Sequence, residues 1–307
     1  ADPEGNRFLP APLNLNEYNT FNFSQNYENL DYRAKQLWTE QFNWFVNYAN
    51  TFGKHDVNAM VVFEQAANGG EWIQAKGEQP MANLDQMFNY SKDAERRWGD
   101  AEEYTGGRLS WIGRFNYTFD QKYIAEFSFR YDGSLKFHPD RRWGFFPSVS
   151  LGWRLSEEAF MKKFSNLDNL KVRGSYGILG NDAVGGWQWL TNYSFGDAYI
   201  FNQAPIKSIV SGGIPNVDLT WEKTSTWNLG LDFSILRNRI SGTIDTYISQ
   251  TSDLLLPSLL PSSTGYASVM QNIGKTENKG IEVTLNTIWF QNKNFSWNTD
   301  WTYSLNR

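Results

Sequence analysis

The sequence contains no cysteine, only 2 histidines in 307 residues, and no long apolar run. Without cysteine there are no disulfides, no thiolate metal sites and no cysteine nucleophile. The absence fits an envelope protein stabilised by strand pairing. The longest apolar stretches, such as Leu254-Leu255-Leu256 and Met60-Val61-Val62-Phe63, fall far short of the roughly 18 residues a membrane-spanning helix needs, so a helical span is excluded. An excess of positive charge is missing too. Lys and Arg number 28 against 33 Asp and Glu, a net charge of -5, and the pI near 5.2 leaves no basic footprint for nucleic acid. The local cluster Lys136, His138, Arg141 and Arg142 is balanced by Asp132 and Asp140 and reads as a solvated loop. The opening ADPEGNRFLPAPLNLN lacks the charged and apolar regions of a signal peptide, which leaves a cytosolic beginning or a removed N-terminus.

Aromatic residues, by contrast, are abundant. They make up 17% of a chain that is 40% hydrophobic and 20% charged, yet mean hydropathy is only -0.55. Large apolar side chains are therefore diluted among polar ones, a mixture that suits half-polar strands. Residues 108 to 131, RLSWIGRFNYTFDQKYIAEFSFRY, show how. Odd positions hold Trp111, Phe115, Phe127 and Phe129 while even positions hold Arg108, Arg114, Glu126 and Arg130. This period of two predicts strands with one apolar and one charged face.

The pattern recurs in about ten segments, near 36–50, 57–65, 108–119, 123–131, 146–155, 169–178, 219–235, 239–250, 279–290 and 295–305. Short polar turns (51–56, 120–122, 236–238, 291–294, and a longer 156–168 with a helical turn or two around Phe160 and Phe164) alternate with long segments at 66–107, 132–145, 179–218 and 251–278. Soluble sandwiches and propellers alternate as well. Strand length separates the cases, because strands in globular proteins average about 5 to 6 residues and a tilted membrane strand needs about 9 to 11. Aromatics crowd toward strand ends: Tyr48, Phe119, Tyr123, Trp153, Trp289 and Phe295 near short turns, Trp38, Tyr131, Trp221 and Tyr303 near long loops. That is the placement of two interfacial girdles, with Lys223 snorkelling beside Trp221. The fold expected is all-β, an antiparallel transmembrane barrel segment whose apolar face meets lipid.

Five stretches carry a family resemblance: RYDGSLKFHPDRRWGFFPSVSLGWRLSEEAF (130–160), LKVRGSYGILGND (170–182), PNVDLTWEKTSTWNLGLDF (215–233), ISGTIDTYISQTSDLLLP (240–257) and STGYASVMQNIGKTENKGIEVTLN (263–286). In this order the sequence resembles the barrel of the SusC/RagA family of TonB-dependent outer-membrane transporters, over most of residues 36 to 307. The resemblance implies a multi-pass barrel in the bacterial outer membrane, with about 22 strands around a plugged lumen. It implies import of oligosaccharides or peptides, coupling to the TonB complex through the plug, and a SusD-like surface lipoprotein as lid. Measured against that pattern, residues 1–307 hold about ten strands of a single barrel domain and lack the plug and the C-terminal strands. The alternatives are a small self-closing barrel acting as adhesin or enzyme, and a soluble carbohydrate-binding β-protein.

Catalytic signals are weak. His55 and His138 fall in a short turn and a long loop, and read as solvated histidines. Gly174, Gly177 and Gly180 have the wrong spacing for a dinucleotide fingerprint and read as sites of close packing. Glu102-Glu103 and Glu157-Glu158 read as solvated pairs. No catalytic residue, metal or cofactor is assigned. Two sets remain. Arg108, Arg114, Glu126, Arg130, Arg154, Lys171, Arg173, Glu222, Asp232, Asp245, Glu282 and Asp300 fall on the polar strand faces, where they pair across strands in a wet lumen or hold a plug. Trp187, Trp189, Tyr193, Tyr199 and Phe201 crowd one long loop, where aromatic faces stack on sugars, pack on peptides, pack on one another or meet the lid.

Overall fold

The computed structural model describes residues 7–8, 17–22, 29–78, 97–201 and 204–307. The strands in chain order are β1 (Arg7–Phe8), β2 (Glu17–Asn22), β3 (Asn29–Phe52), β4 (His55–Glu78), β5 (Arg97–Phe119), β6 (Tyr123–Ser134), β7 (Trp143–Arg154), β8 (Leu167–Asn181), β9 (Tyr193–Phe201), β10 (Ala204–Ser211), β11 (Glu222–Ile235), β12 (Ile240–Ser252), β13 (Leu255–Leu259), β14 (Ser268–Asn272), β15 (Lys275–Gln291) and β16 (Ser296–Asn306). Twelve form one sheet in the order β1-β2-β3-β4-β5-β6-β7-β8-β11-β12-β15-β16, while β9-β10 and β13-β14 are hairpins inside long connections. The sheet has two ends, β1 and β16. By contacts the chain divides into one unit of residues 1–42 and 65–108, and another of 43–64 and 109–307.

All ten expected strands are present, but the segment 66–107 is not simply a loop. β4 runs on to Glu78 and β5 begins at Arg97. The first unit is held by polar contacts. Gln74, 6% exposed, accepts a hydrogen bond from Arg33 Nη2 at 2.7 Å and donates to Asp31 at 2.6 Å. The Arg33 guanidinium lies 4.8 Å over the Trp72 ring, whose Nε1 donates to Glu102 at 3.0 Å.

In the second unit the register puts like with like. Phe127 faces Val149, Val149 faces Tyr176, Tyr176 faces Trp227 and Val283 faces Tyr303 on one side. Glu126, Ser150, Ser175 and Asn228 form a row on the other. Leu151, Trp227 and Leu229 are about 60% exposed (62%, 63% and 59%). So broad an apolar band is a surface for a non-aqueous solvent. Ring stacks run along both ends, Phe119–Tyr123–Trp153 at the short turns and Tyr131–Trp143 at the long loops.

The short turns are chained by alternating charge. Lys54 reaches Asp120 at 3.0 Å, Asp120 reaches Lys122 at 3.2 Å and Lys122 reaches Glu158 at 3.6 Å. Glu158 also accepts from Tyr123 Oη at 2.7 Å and Trp153 Nε1 at 3.2 Å, so it is a hub rather than a solvated carboxylate. Its carboxyl is held below the ordinary range chiefly by the Tyr123 hydrogen bond, and that of Asp120 by Lys54 and then Lys122. His55 is not a solvated loop histidine either. It opens β4 with Nδ1 2.7 Å from Tyr117 Oη, and its ring stacks on Phe52.

Above Ser148 the sheet parts. Pairing of β7 with β8 starts at Ser148 and Gly177, while β7 continues along β6 to Trp143 and β8 along β11 to Asn181. Pro147, with no N–H to donate, stands at the fork. Phe137, Phe146, Leu219 and Trp221, all at most 5% exposed, form a small core there. Trp221 is therefore not a girdle residue beside Lys223. It lies 5.2 Å from the Phe146 ring and donates Nε1 to the Arg142 carbonyl at 2.8 Å. β11 begins at Glu222, and the Leu219/Trp221 alternation belongs to this core.

Candidate functional site

On the polar face, one cross-strand row reads Gly152, Arg173, Gly230, Asp245, Glu282, Ser304. An arginine between two glycines can lie flat along the sheet. A Cβ on Gly230 would stand 2.5 Å from Arg173 Cζ, so the missing side chain is what lets the guanidinium cross β11. Arg173 Nη2 then donates to Asp245 on β12 at 2.6 Å and Nε to Asp232 at 3.1 Å, with Nη1 3.4 Å from Asn228. Lys171 joins Asp232 at 3.8 Å. A cleft of about 170 Å³ lined by Ser150, Lys171, Arg173, Ser175 and Asn228 opens beside them.

A second group gathers at Arg130. Its Nε and Nη2 grip Asp132 at 3.1 and 3.0 Å, and Nη2 also reaches Ser110 at 3.3 Å and Glu64 at 3.5 Å. Asp132 is 5% exposed, so its charge depends on this two-point grip. Arg114 and Glu126 pair at 3.7 Å. The remaining candidates are not gathered. Arg108 belongs to the first unit, Arg154 closes β7 with its N–H on Lys122, Glu222 binds loop groups, and Asp300 faces Asn286 on the end strand.

At the long-loop end, side-chain amides clasp the backbone. Asn272 Nδ2 donates to the carbonyls of Thr220 at 2.8 Å and Asp253 at 3.0 Å, and its Oδ1 accepts from Thr220 N–H. Asn216 donates to Met270 O at 2.7 Å. Glu222 accepts from Asn181 and from Leu255 N–H. Ser134 and Lys136 hold Asp182. Such loops are fixed platforms rather than loose connectors.

The aromatic candidates divide into two groups on this platform. Trp187, with φ of 61°, stands 6.0 Å from Trp189, which meets His138 edge-on at 5.2 Å. His138 is thus packed as well, and accepts a hydrogen bond from Asp140 N–H. Tyr193 and Phe201 lie on β9, 72% and 64% exposed. The side chain of Tyr199 lies outside the described residues. Sequence reasoning passed over Phe195, on the same strand face as Tyr193 and 76% exposed, with Lys207 Nζ 5.8 Å from its ring. The alternation of YSFGDAYIF was the available signal. Among the described residues no group of three His, Cys, Asp or Glu could hold a metal ion.

A long-stranded antiparallel sheet with an apolar band on one face, paired charges on the other, tight turns at one end and clasped loops at the other defines a segment of a transmembrane β-barrel. The chain belongs to the TonB-dependent receptor-like β-barrel family, whose model matches residues 5–307. It is 34% identical over 298 residues to the TonB-dependent receptor SusC of Bacteroides thetaiotaomicron, covering 93% of this chain and 28% of that protein. It is 32% identical to the TonB-dependent receptor P39 of Formosa agariphila, covering 95% and 28%. The RagAB peptide importer in its closed-closed state superposes with a TM-score of 0.85 at 25% identity, over 95% of this chain and 33% of that one. The chain thus spans about 28% of the length of these curated relatives.

Proposed function

We propose that residues 1–307 are the central part of the barrel domain of an outer-membrane importer, with plug and remaining strands supplied elsewhere in the protein. The polar face lines the lumen, and the Arg173 and Arg130 clusters are the wall against which a plug rests. The clasped loops and the β9-β10 hairpin face outward and take part in capturing an oligosaccharide or peptide together with a SusD-like lipoprotein. Import is driven through the TonB complex acting on the plug, with no covalent chemistry in this segment. The observation that carries the reading is the two-faced sheet, because charges paired across strands on one side and an exposed apolar band on the other fit a wet lumen inside a membrane wall. Both features fit poorly with a soluble carbohydrate-binding protein.

The test is uptake by cells carrying the intact gene, measured with labelled oligosaccharide and peptide mixtures. Uptake that disappears when either this gene or TonB is removed is the expected result. Uptake indifferent to TonB would remove the importer reading.

A further inference from the structure

We propose that the apolar face of β6, β7, β8 and β11 holds one phospholipid of the leaflet on the short-turn side, its acyl chain over Gly174 and its anionic head group at Lys162 and Lys163. The inference rests on that face being the membrane face. Two adjoining clefts open there. One of about 500 Å³ is lined by Val149, Tyr176, Trp227 and Ile248. The other, of about 600 Å³, is lined by Tyr123, Ala125, Trp153 and Val172. They share Leu151 and Gly174, so they meet at the middle of that face and are together called the groove.

The groove has aromatic walls, with Gly174 and Ala125 the small residues between them. Tyr176 and Trp227 pack with ring centroids 4.4 Å apart on one side, and Tyr123 and Trp153 stack at 6.2 Å on the other. Nothing in the backbone demands glycine at the centre. A Cβ on Gly174 would find its nearest atoms, Asn228 O and Leu229 Cδ1, at an ordinary 3.9 Å. The small residue keeps space open rather than relieving a clash. From Val172 to Tyr176 the floor runs roughly 13 Å along β8, comparable to one leaflet of a hydrocarbon core about 30 Å thick.

Beyond the short-turn end of the groove comes the segment joining β7 to β8, since Trp153 pairs with Val172. That segment exposes Phe160 (55%) and Phe164 (61%) beside Lys162 and Lys163, the combination of apolar and cationic groups that settles among lipid head groups. Its acidic residues do not neutralise it fully. Glu158 is engaged by Lys122, Tyr123 and Trp153, Glu157 pairs with Lys162 at 3.9 Å, and Lys163 stands exposed. A groove on the membrane face, with two exposed lysines on the segment that follows β7 at its short-turn side, fits an anionic phospholipid.

The intact transporter containing this chain would be purified, exchanged with phosphatidylglycerol or phosphatidylethanolamine in detergent, and examined by native mass spectrometry, with uptake followed in parallel. Wild type should retain one phospholipid and prefer phosphatidylglycerol. Gly174→Leu should lose it while uptake and membrane insertion persist, whereas Val283→Phe on the same face should keep it. Lys162→Gln with Lys163→Gln should keep the adduct and reduce the preference by about fivefold per lysine, the factor that about 1 kcal/mol gives. Retention by Gly174→Leu equal to wild type, an adduct of detergent only, or equal loss in Val283→Phe would overturn the proposal without touching the importer reading.

Discussion

Arg173 reaches Asp245 across an intervening strand, 2.6 Å from Nη2 to Oδ2, because Gly230 between them has no side chain. The clash a Cβ would create is with the mobile end of a side chain, so Gly230→Ala should displace the guanidinium and leave the strand intact. Arg173 is 32% exposed, and a pair so open to water contributes only about 0.2–1 kcal/mol. In a double-mutant cycle on the unfolding of the intact barrel, Asp245→Asn should cost clearly less in the Gly230→Ala background than in wild type. Full additivity would mean that the glycine does not govern the contact.

The fork between β7 and β8 makes a different demand. Phe146 occupies the space a Cβ on Gly180 would take, and the ring is hemmed in by Trp221 and Gly144. Gly180→Ala should therefore cost about 1–3 kcal/mol as overpacking. Limited proteolysis should show it as faster cleavage in 135–142 and 212–221, with the membrane strands still protected. Unchanged cleavage would show that the core tolerates the methyl.

Acid should loosen the short-turn end only below about pH 4. Asp120 and Glu158 are held below the ordinary carboxylate range by Lys54 and Tyr123 respectively. A group with a depressed folded value contributes its stability above its ordinary value, about pH 4, and loses it as pH falls through the lower folded one. Lys122, raised chiefly by Asp120, has the opposite sign and loses its contribution only in strong alkali. Hydrogen exchange at the amides of Asp120 and Arg154 should be flat from pH 7 to about pH 4 after correction for intrinsic rate, then accelerate. In Asp120→Asn with Glu158→Gln the acid step should vanish; its persistence would assign it elsewhere.

Deleting residues 184–204 from the intact transporter removes Trp187, Trp189, Tyr193 and Phe201 together. Under the importer proposal, growth on the imported nutrient or co-purification of a SusD-like lipoprotein should fall while surface abundance holds, because β8 and β11 pair with each other directly. Normal growth and normal co-purification would reassign these aromatics to packing within the loop.

Much of the sheet was legible because a membrane strand must be apolar on one side and polar on the other, so residues such as Phe127 and Glu126 announce their faces. Beyond the lipid that constraint lapses. The continuation of β4 through Glu71 and Gln74 carries polar residues on both faces, Gln74 buried between Arg33 and Asp31, and its sequence looks like loop. Trp221 misled for a related reason, since hydropathy cannot separate a tryptophan facing lipid from one in a loop core. The Arg173–Asp245 pair joins residues 72 apart and depends on the register of three strands, which no local pattern encodes.

The central claim is that alternate residues of these strands face lipid and water. The absence of cysteine from residues 1–307 makes single-cysteine scanning of 123–131 direct, once any cysteines elsewhere in the intact transporter are replaced. Positions 124, 126, 128 and 130 should react with a membrane-impermeant thiol reagent, and a fluorophore at 125, 127 or 129 should be quenched by brominated lipid. Reactivity without a period of two, or quenching at 126 and 128 instead of 127 and 129, would contradict the account.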